Sequence, residues 1–303
     1  MGAGMAGILA AIRLRERADE VIVLEKGADI GGTWRDNRYL GLTCDVPAHA
    51  YTYSFAPYAE WSRYFATGAE IQGYFKKVVA DYGLAECIHL GQEVVETRWV
   101  DDGWSVTTKS GDCHRADVVI AATGVLHYPR FPDIDGLDSF AGDCFHSAQW
   151  PDGVDLKGKR VAVIGNGSTG VQLVTALVKQ AAHVDHFQRS PQWIMPVLDC
   201  EYSDEDKARF RADPDAIDAI RYDPEYIGNV RRFNDAIVDP KSDAMQIIAG
   251  IVRDHLESAV ADPVLRAKLR PDYVAACKRL IYSPSYYAAV QRPNVAVVRD
   301  PIA

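Results

Sequence analysis

The sequence predicts an α/β chain made of two strand–turn–helix–strand units in series, with a helical insertion in the second. Three observations predict this. A G-x-G-x-x-G pattern occurs twice, as GAGMAG at 2–7 and as GNGSTG at 165–170. Each copy leads into a helical pattern and then an apolar run, VIVLE at 21–25 and VDHFQR at 184–189. From about 203 to 268 charged and apolar residues instead mix at helical spacing, with breaks at Asp-Pro pairs 213–214, 223–224, 239–240 and 262–263.

Composition narrows the function classes. At 303 residues the chain is long enough for two domains with full cores, and 48% apolar with 25% charged residues is ordinary for a soluble protein. A net charge of -9 with dispersed basic residues argues against nucleic acid as a partner, because neutralising phosphates needs a basic face. No apolar run approaches the roughly 18–20 residues of a membrane span, so no membrane partner is expected. The opening residues do not read as a secretory signal. Cysteines 44, 87, 113, 144, 200 and 277 include no CxxC pair, so neither a metal site nor a redox pair is expected. They read as free thiols in a reducing cytoplasm.

In chain order, Gly2, Gly4 and Gly7 permit a tight turn, close approach of backbone to a pyrophosphate, and close helix–strand packing. The anion would sit at the helix N-terminus, where free N–H groups point at it. Glu25 ends the next strand, where a carboxylate accepts hydrogen bonds from a ribose 2′-hydroxyl and so selects an unphosphorylated ribose. Only Met1 precedes this turn, whereas a strand of about 5–6 residues should feed it. Such a strand is central, so its lack should expose ladder groups and apolar faces, and the chain is expected to have been cut short there. VVETRWV at 94–100 and WSVTTK at 104–109 flank Asp-Asp-Gly and read as a hairpin. ADVVIAATG at 116–124 reads as a buried strand ending in a turn, and the Pro- and Gly-rich 127–137 as a linker.

The second turn is complete: KRVAVIGNGSTG at 159–170 holds strand, turn (Gly165, Gly167, Gly170) and helix start at Ser168. At the end of its next strand Arg189, followed by Ser190, replaces the acid. A guanidinium pairs with a ribose 2′-phosphate that a carboxylate would repel. Two turns of opposite ribose chemistry imply two cofactors, FAD at the first and NADPH at the second, with hydride passing from nicotinamide to flavin. The insertion at about 203–268 reads as a solvated helical cover, and NVAVV at 294–298 as a last strand.

FAGDCFHSAQWP at 140–151 fills F-x-G-x-x-x-H-x-x-x-W-[PD] at every fixed position, through Phe140, Gly142, His146, Trp150 and Pro151. On this motif the chain resembles the flavoprotein Baeyer–Villiger monooxygenases (type I), within the flavin-containing monooxygenase superfamily. The resemblance implies a ketone substrate and O2, and it divides the chain into an FAD-binding domain at 1–127, a linker with the fingerprint at 128–151 and an NADP-binding domain at 152–303. It also implies flavin-contacting segments at GGTW (Gly32, Thr33, Trp34) and CDVP (44–47). Asp45 would lie near the flavin and position the catalytic arginine. Within CKR, Lys278 would assist at the 2′-phosphate and Arg279 would stabilise the flavin's negatively charged oxygen adduct. His146 and Trp150 are expected to serve structure and domain coupling more than bond making. Thr43 stands where the family has an arginine. By the same resemblance a strand pair and a second ATG-like crossing should follow residue 303. The residues leave two alternatives open: a nitrogen- or sulfur-oxygenating flavin monooxygenase, and a non-catalytic NADP-binding fragment.

Overall fold

The computed structural model describes residues 1–302. They fold as two compact units, the first comprising Met1–Arg38, Gly68–Phe131 and Phe145–Trp150, the second Tyr39–Thr67, Pro132–Cys144 and the rest from Pro151.

In the first unit, α1 (Met5–Arg15) leaves the glycine turn directly and buries Gly7, Ile8, Ala11 and Ile12 along one face. Then come β1 (Val23–Leu24), α2 (Thr33–Asp36), α3 (Gly68–Asp81) and β2 (Ile88–His89), which pairs in parallel with β1. α3 buries Ile71, Tyr74, Phe75 and Val78, the spacing of a core-facing stripe. The expected hairpin forms from β3 (Val94–Val100) and β4 (Gly103–Thr108), with Trp99 opposite Trp104 and Val100 opposite Gly103. That register leaves a two-residue turn at Asp101 and Asp102, and Asp101 takes the positive φ of 55° that such a tight hairpin requires. A third strand, β5 (Cys113–Ala116), then pairs antiparallel with β4.

The run at 116–124 departs from expectation. It is neither a strand beyond Ala116 nor buried, with Val118 72% and Ile120 41% exposed. The reason is the ladder. The amine of Met1 donates to the carbonyl of Ile120, the N–H of Ala122 donates to the carbonyl of Met1, and the N–H of Gly2 donates to the carbonyl of Leu24. Met1 and Gly2 thus lie between the two runs, and among the described residues these backbone bonds reach the run only at Ile120 and Ala122, too few for a ladder. Ile22, on the other side, is also exposed.

The second unit contains β6 (Arg160–Ile164), α4 (Ser168–Leu177), β7 (His183–Phe187) and β8 (Ile194–Met195). Five insertion helices follow: α5 (Asp204–Ala212), α6 (Pro214–Arg221), α7 (Pro224–Val238), α8 (Asp243–Ala259) and α9 (Pro263–Leu269). β9 (Ile281–Tyr282), α10 (Tyr286–Val290) and β10 (Val295–Val298) complete it. The parallel sheet runs β10-β7-β6, with β6 at an edge. Three of the four Asp-Pro pairs start helices rather than merely interrupting them. Asp213, Asp223 and Asp262 each accept a first-turn N–H while proline occupies the first helical position, where its missing N–H costs nothing. The fourth pair, 239–240, follows the end of α7. The insertion is more than a solvated cover: Met245, Ile248 and Val252 of α8 form a core with Ala236, Ala275 and Leu280, against which Trp193 and Tyr282 pack.

Residues 39–67, which carry no long element, fold with this second unit. The N–H of Cys44 donates to the carbonyl of Ala66, that of Tyr64 to the carbonyl of Cys200, and Arg63 pairs with Asp199 at 2.6 Å.

Candidate functional site

Both glycine turns are built by the same close approach. A Cβ on Gly7 would lie 1.9 Å from the carbonyl oxygen of Gly2, and one on Gly170 2.0 Å from that of Gly165. Neither position admits any side chain. The helices these turns feed differ from those of the insertion. α1 and α4 start after Gly4 and Gly167 with no side-chain cap and no acidic residue in the first turn. Helices α5 to α9 are all capped by their own Ser or Asp, at Ser203, Asp213, Asp223, Ser242 and Asp262. Uncapped N–H groups at the mouth of a glycine turn suit a phosphate, which supplies both the acceptor and the favourable charge.

At the first turn the structure brings Glu25 and the GGTW segment together with the glycines. One carboxylate oxygen of Glu25 accepts from the N–H of Ala3 at 2.7 Å, and the other from the N–H of Gly27 at 2.7 Å and from Arg35 at 2.6 Å. Burial opposes its ionisation, but these hydrogen bonds outweigh burial and hold the carboxyl below its ordinary range. A carboxylate offers about four acceptor positions, so one remains for a ribose hydroxyl. Gly31 donates to the carbonyl of Ala3 at 3.0 Å, and the backbone of Gly32 lies against that of Gly4. Gly31 and Gly32 thereby border the turn; of the next two residues, Thr33 is exposed and Trp34 is buried. Sequence reasoning missed Arg35, whose guanidinium also pairs with Asp36 at 2.7 Å. Its position directly after the flavin-type segment, at the residue following Trp34, carried no distinguishing signal.

At the second turn, Asn166 is the organising side chain. Its amide donates to Gln188 and to the carbonyl of Ser190, both at 2.8 Å, and so fastens the end of β7 beside the turn. This sets Arg189 and Ser190 at the turn. Arg189 is exposed and makes no ion pair among the described residues. Lys278 reaches Ser190 at 3.0 Å across 88 residues and lies 4.3 Å from the centroid of the Tyr273 ring. The parallel pairing of β8 with β9, Ile194 opposite Ile281, accounts for that approach. Arg189, Ser190 and Lys278 form a cationic and hydroxylic group suited to a phosphate monoester.

Beneath this turn His186 is fully buried. One ring nitrogen contacts the carbonyl of Gly165 at 3.1 Å, and the other the hydroxyl of Tyr286 at 3.2 Å. The carbonyl requires a donor from one nitrogen, and because burial keeps the ring neutral, the second nitrogen is left to accept from the tyrosine. Burial pushes its pKa from 6.5 down to about 4. The folded pKa is depressed, so the unfolded chain takes up a proton first as pH falls. Stability is therefore intact above pH 6.5 and drains away between 6.5 and about 4. The full span corresponds to about 3 kcal/mol. Denaturant melts of His186→Gln should show that portion of the acid dependence removed. A pH dependence parallel to wild type would show that His186 does not cause it.

The remaining pair predicted from sequence also meets. Arg279 donates to Asp45 at 2.5 Å across 234 residues, both in the second unit. Asp45 is 19% exposed and Arg279 70%, so the carboxylate is a fixed anchor and the guanidinium keeps open faces. Burial raises the phenols of Tyr226, from the insertion, and Tyr282; the next cause is Cys44 and then Asp45 for Tyr226, and Asp45 for Tyr282. Burial likewise pushes the Cys44 thiol up to about 12, leaving it neutral. Tyr226 was invisible in the sequence because an insertion tyrosine resembles any helix-face aromatic.

The fingerprint residues divide between the units: Phe140, Gly142 and Pro151 belong to the second, His146 and Trp150 to the first. His146 accepts the N–H of Ala148 at 3.0 Å and its ring meets that of Phe131 edge-on at 5.9 Å, while Trp150 packs edge-on against Phe145 at 5.2 Å. Both residues shape the local chain path.

Two Rossmann-type units, each with an uncapped helix on a glycine turn, define a protein of the two-dinucleotide α/β class. The chain belongs to the pyridine nucleotide-disulphide oxidoreductase family, whose family model matches residues 1–204. It is 39% identical over 301 residues to a Baeyer–Villiger monooxygenase of Streptomyces coelicolor, an alignment covering 98% of this chain and 57% of that protein. The open crystal structure of cyclohexanone monooxygenase matches with a TM-score of 0.85 at 31% identity, covering 98% of this chain and 65% of that one. The crystal structure of OTEMO in complex with FAD and NADP matches with a TM-score of 0.83 at 30% identity, covering 98% and 64%. The resemblance carried by the fingerprint is therefore borne out, and the chain spans 57% to 65% of the length of these proteins. All six cysteines are free, so no disulphide is formed within the chain. Among the described residues, no helix is long and apolar enough to cross a membrane.

Proposed function

We propose that the intact protein is an FAD-dependent, NADPH-consuming monooxygenase that inserts one atom of O2 into a ketone, giving an ester or lactone, water and NADP+. The observation that carries this reading is the Arg279–Asp45 pair, which presents an anchored cation with open faces. The first turn, Glu25 and the Gly32–Thr33 backbone suit FAD; the second turn with Arg189, Ser190 and Lys278 suits NADPH. FAD when bound supplies the redox chemistry, accepting hydride from NADPH and activating O2. The chain's own residues bind, orient and stabilise charge. Uncapped N–H groups of α1 and α4 hold pyrophosphates. Glu25 takes a ribose hydroxyl, and Arg189 and Lys278 take the 2′-phosphate. Arg279, oriented by Asp45, offsets the negative charge that develops during oxygen transfer, as a fixed cation does with little reorganisation. We place the activity in the cytoplasm, where six free thiols persist.

The test is product analysis. Purified intact protein should be yellow, with a flavin absorbance band, and should convert a cyclic ketone to a lactone heavier by one oxygen, the label coming from ¹⁸O2. Oxidation of a thioether or amine with no lactone from any ketone would assign it instead to nitrogen or sulfur oxygenation. A colourless protein that added FAD does not reconstitute would refute the reading.

A further inference from the structure

We propose that Gln172 is a positioning residue that couples occupancy of the second glycine turn to the Asp45–Arg279 pair, by clamping residues 39–43 onto α4. The inference rests on the reading of that turn as an NADP site. Gln172 lies one helical turn into α4, which begins at Ser168 immediately after the glycines. Its amide is used at both ends. The hydroxyl of buried Tyr39 donates to Gln172 Oε1 at 2.7 Å, and Nε2 donates to the carbonyl of Thr43 at 3.0 Å and to its hydroxyl at 3.3 Å.

Between those two anchors the chain lies flat on the helix. Gly41 has a φ of 81°, and a Cβ there would sit 2.8 Å from the Ala176 methyl and 3.0 Å from the carbonyl oxygen of Gln172. The segment cannot move relative to α4 without breaking the amide's bonds. Its far end is equally held: Thr43 bridges Thr67, and the N–H of Cys44 donates to Ala66. Asp45 is the next residue, and it holds Arg279. A continuous path of hydrogen bonds and close packing thus runs from the helix that would carry the nucleotide phosphates to the anchored cation. Ordering of the helix start by a dinucleotide biases Asp45 only if the amide clamp transmits it. By linkage, the clamp changes nucleotide affinity by the same factor.

Hydrogen exchange on the intact protein, with NADP+ as the probe, reads this without turnover. NADP+ should slow exchange at residues 40–46 in wild type by about fivefold or more, the lower range of measured site-to-site couplings. In Gln172→Leu, NADP+ should still protect the second glycine turn, with protection at 40–46 falling below about twofold. Tyr39→Phe removes the hydroxyl's bonds to α4, to Gln172 and to Thr169, with almost no change of shape and should show the same uncoupling, which keeps the test decisive if the leucine variant misfolds. Undiminished protection at 40–46 in both variants, or NADP+ binding to wild type without any protection there, would overturn the coupling alone. No NADP+ binding to wild type would overturn the nucleotide assignment and the coupling with it.

Discussion

Arg279→Ala in the intact protein loses ester formation by about 10²–10³ while NADPH oxidation continues, the loss typical of removing one preorganised charge-stabilising group. Two electrons then reach O2 without entering the ketone, so hydrogen peroxide accumulates in step with NADPH consumed. Peroxide, NADPH and ester measured in one reaction check this. The structure also indicates what the substitution does not do. Arg279 is 70% exposed, so solvent screens its side of the pair, and Asp45, still 19% exposed, can rehydrate when its partner is lost. The variant's melting transition should therefore stay close to wild type, which separates lost chemistry from lost fold. Asp45→Asn keeps the shape but not the charge of the anchor, and should fail in the same direction by a smaller factor. Unchanged ester yield from Arg279→Ala would remove this residue from the mechanism.

Arg189→Ala raises the KM for NADPH about 10- to 100-fold and leaves NADH almost unaffected, following the 1.5–3 kcal/mol of a hydrogen bond to a charged group. Arg189 is exposed and, among the described residues, unpaired, so its loss costs the fold little. The 2′-phosphate is what distinguishes the two nucleotides, so the discriminating measure is the ratio of KM values. Lys278→Ala should move that ratio the same way, since its ammonium reaches the same end of β7 through Ser190. Added salt should erode the preference for NADPH, because both cations face solvent. An equal loss for NADH and NADPH would mean that Arg189 supports the turn and does not read the phosphate.

How far the site was legible in the sequence depended on range. The glycine turns, the acid at one strand end and the arginine at the other were readable because fixed short spacings link them to one turn of backbone. The capped starts at Asp213, Asp223 and Asp262 were readable only as breaks, although Asp-Pro before a helical run also encodes a start. The run at 116–124 misled because its composition is that of a buried strand, while strand formation depends on neighbours that composition does not report.

By itself, then, the sequence determined the two glycine turns, the acid and the arginine at their following strand ends, the hairpin and the fingerprint, since each is written in near-contiguous residues whose local geometry is forced. Tertiary structure alone decided that residues 39–67 fold with the second turn, that Asn166 fastens the end of β7 and Gln172 the segment 39–43 beside it, and that Tyr226 of the insertion comes under the charge of Asp45. Those contacts join residues far apart in the chain through single side-chain hydrogen bonds or through space. Neither leaves a periodicity or a spacing for a sequence to display.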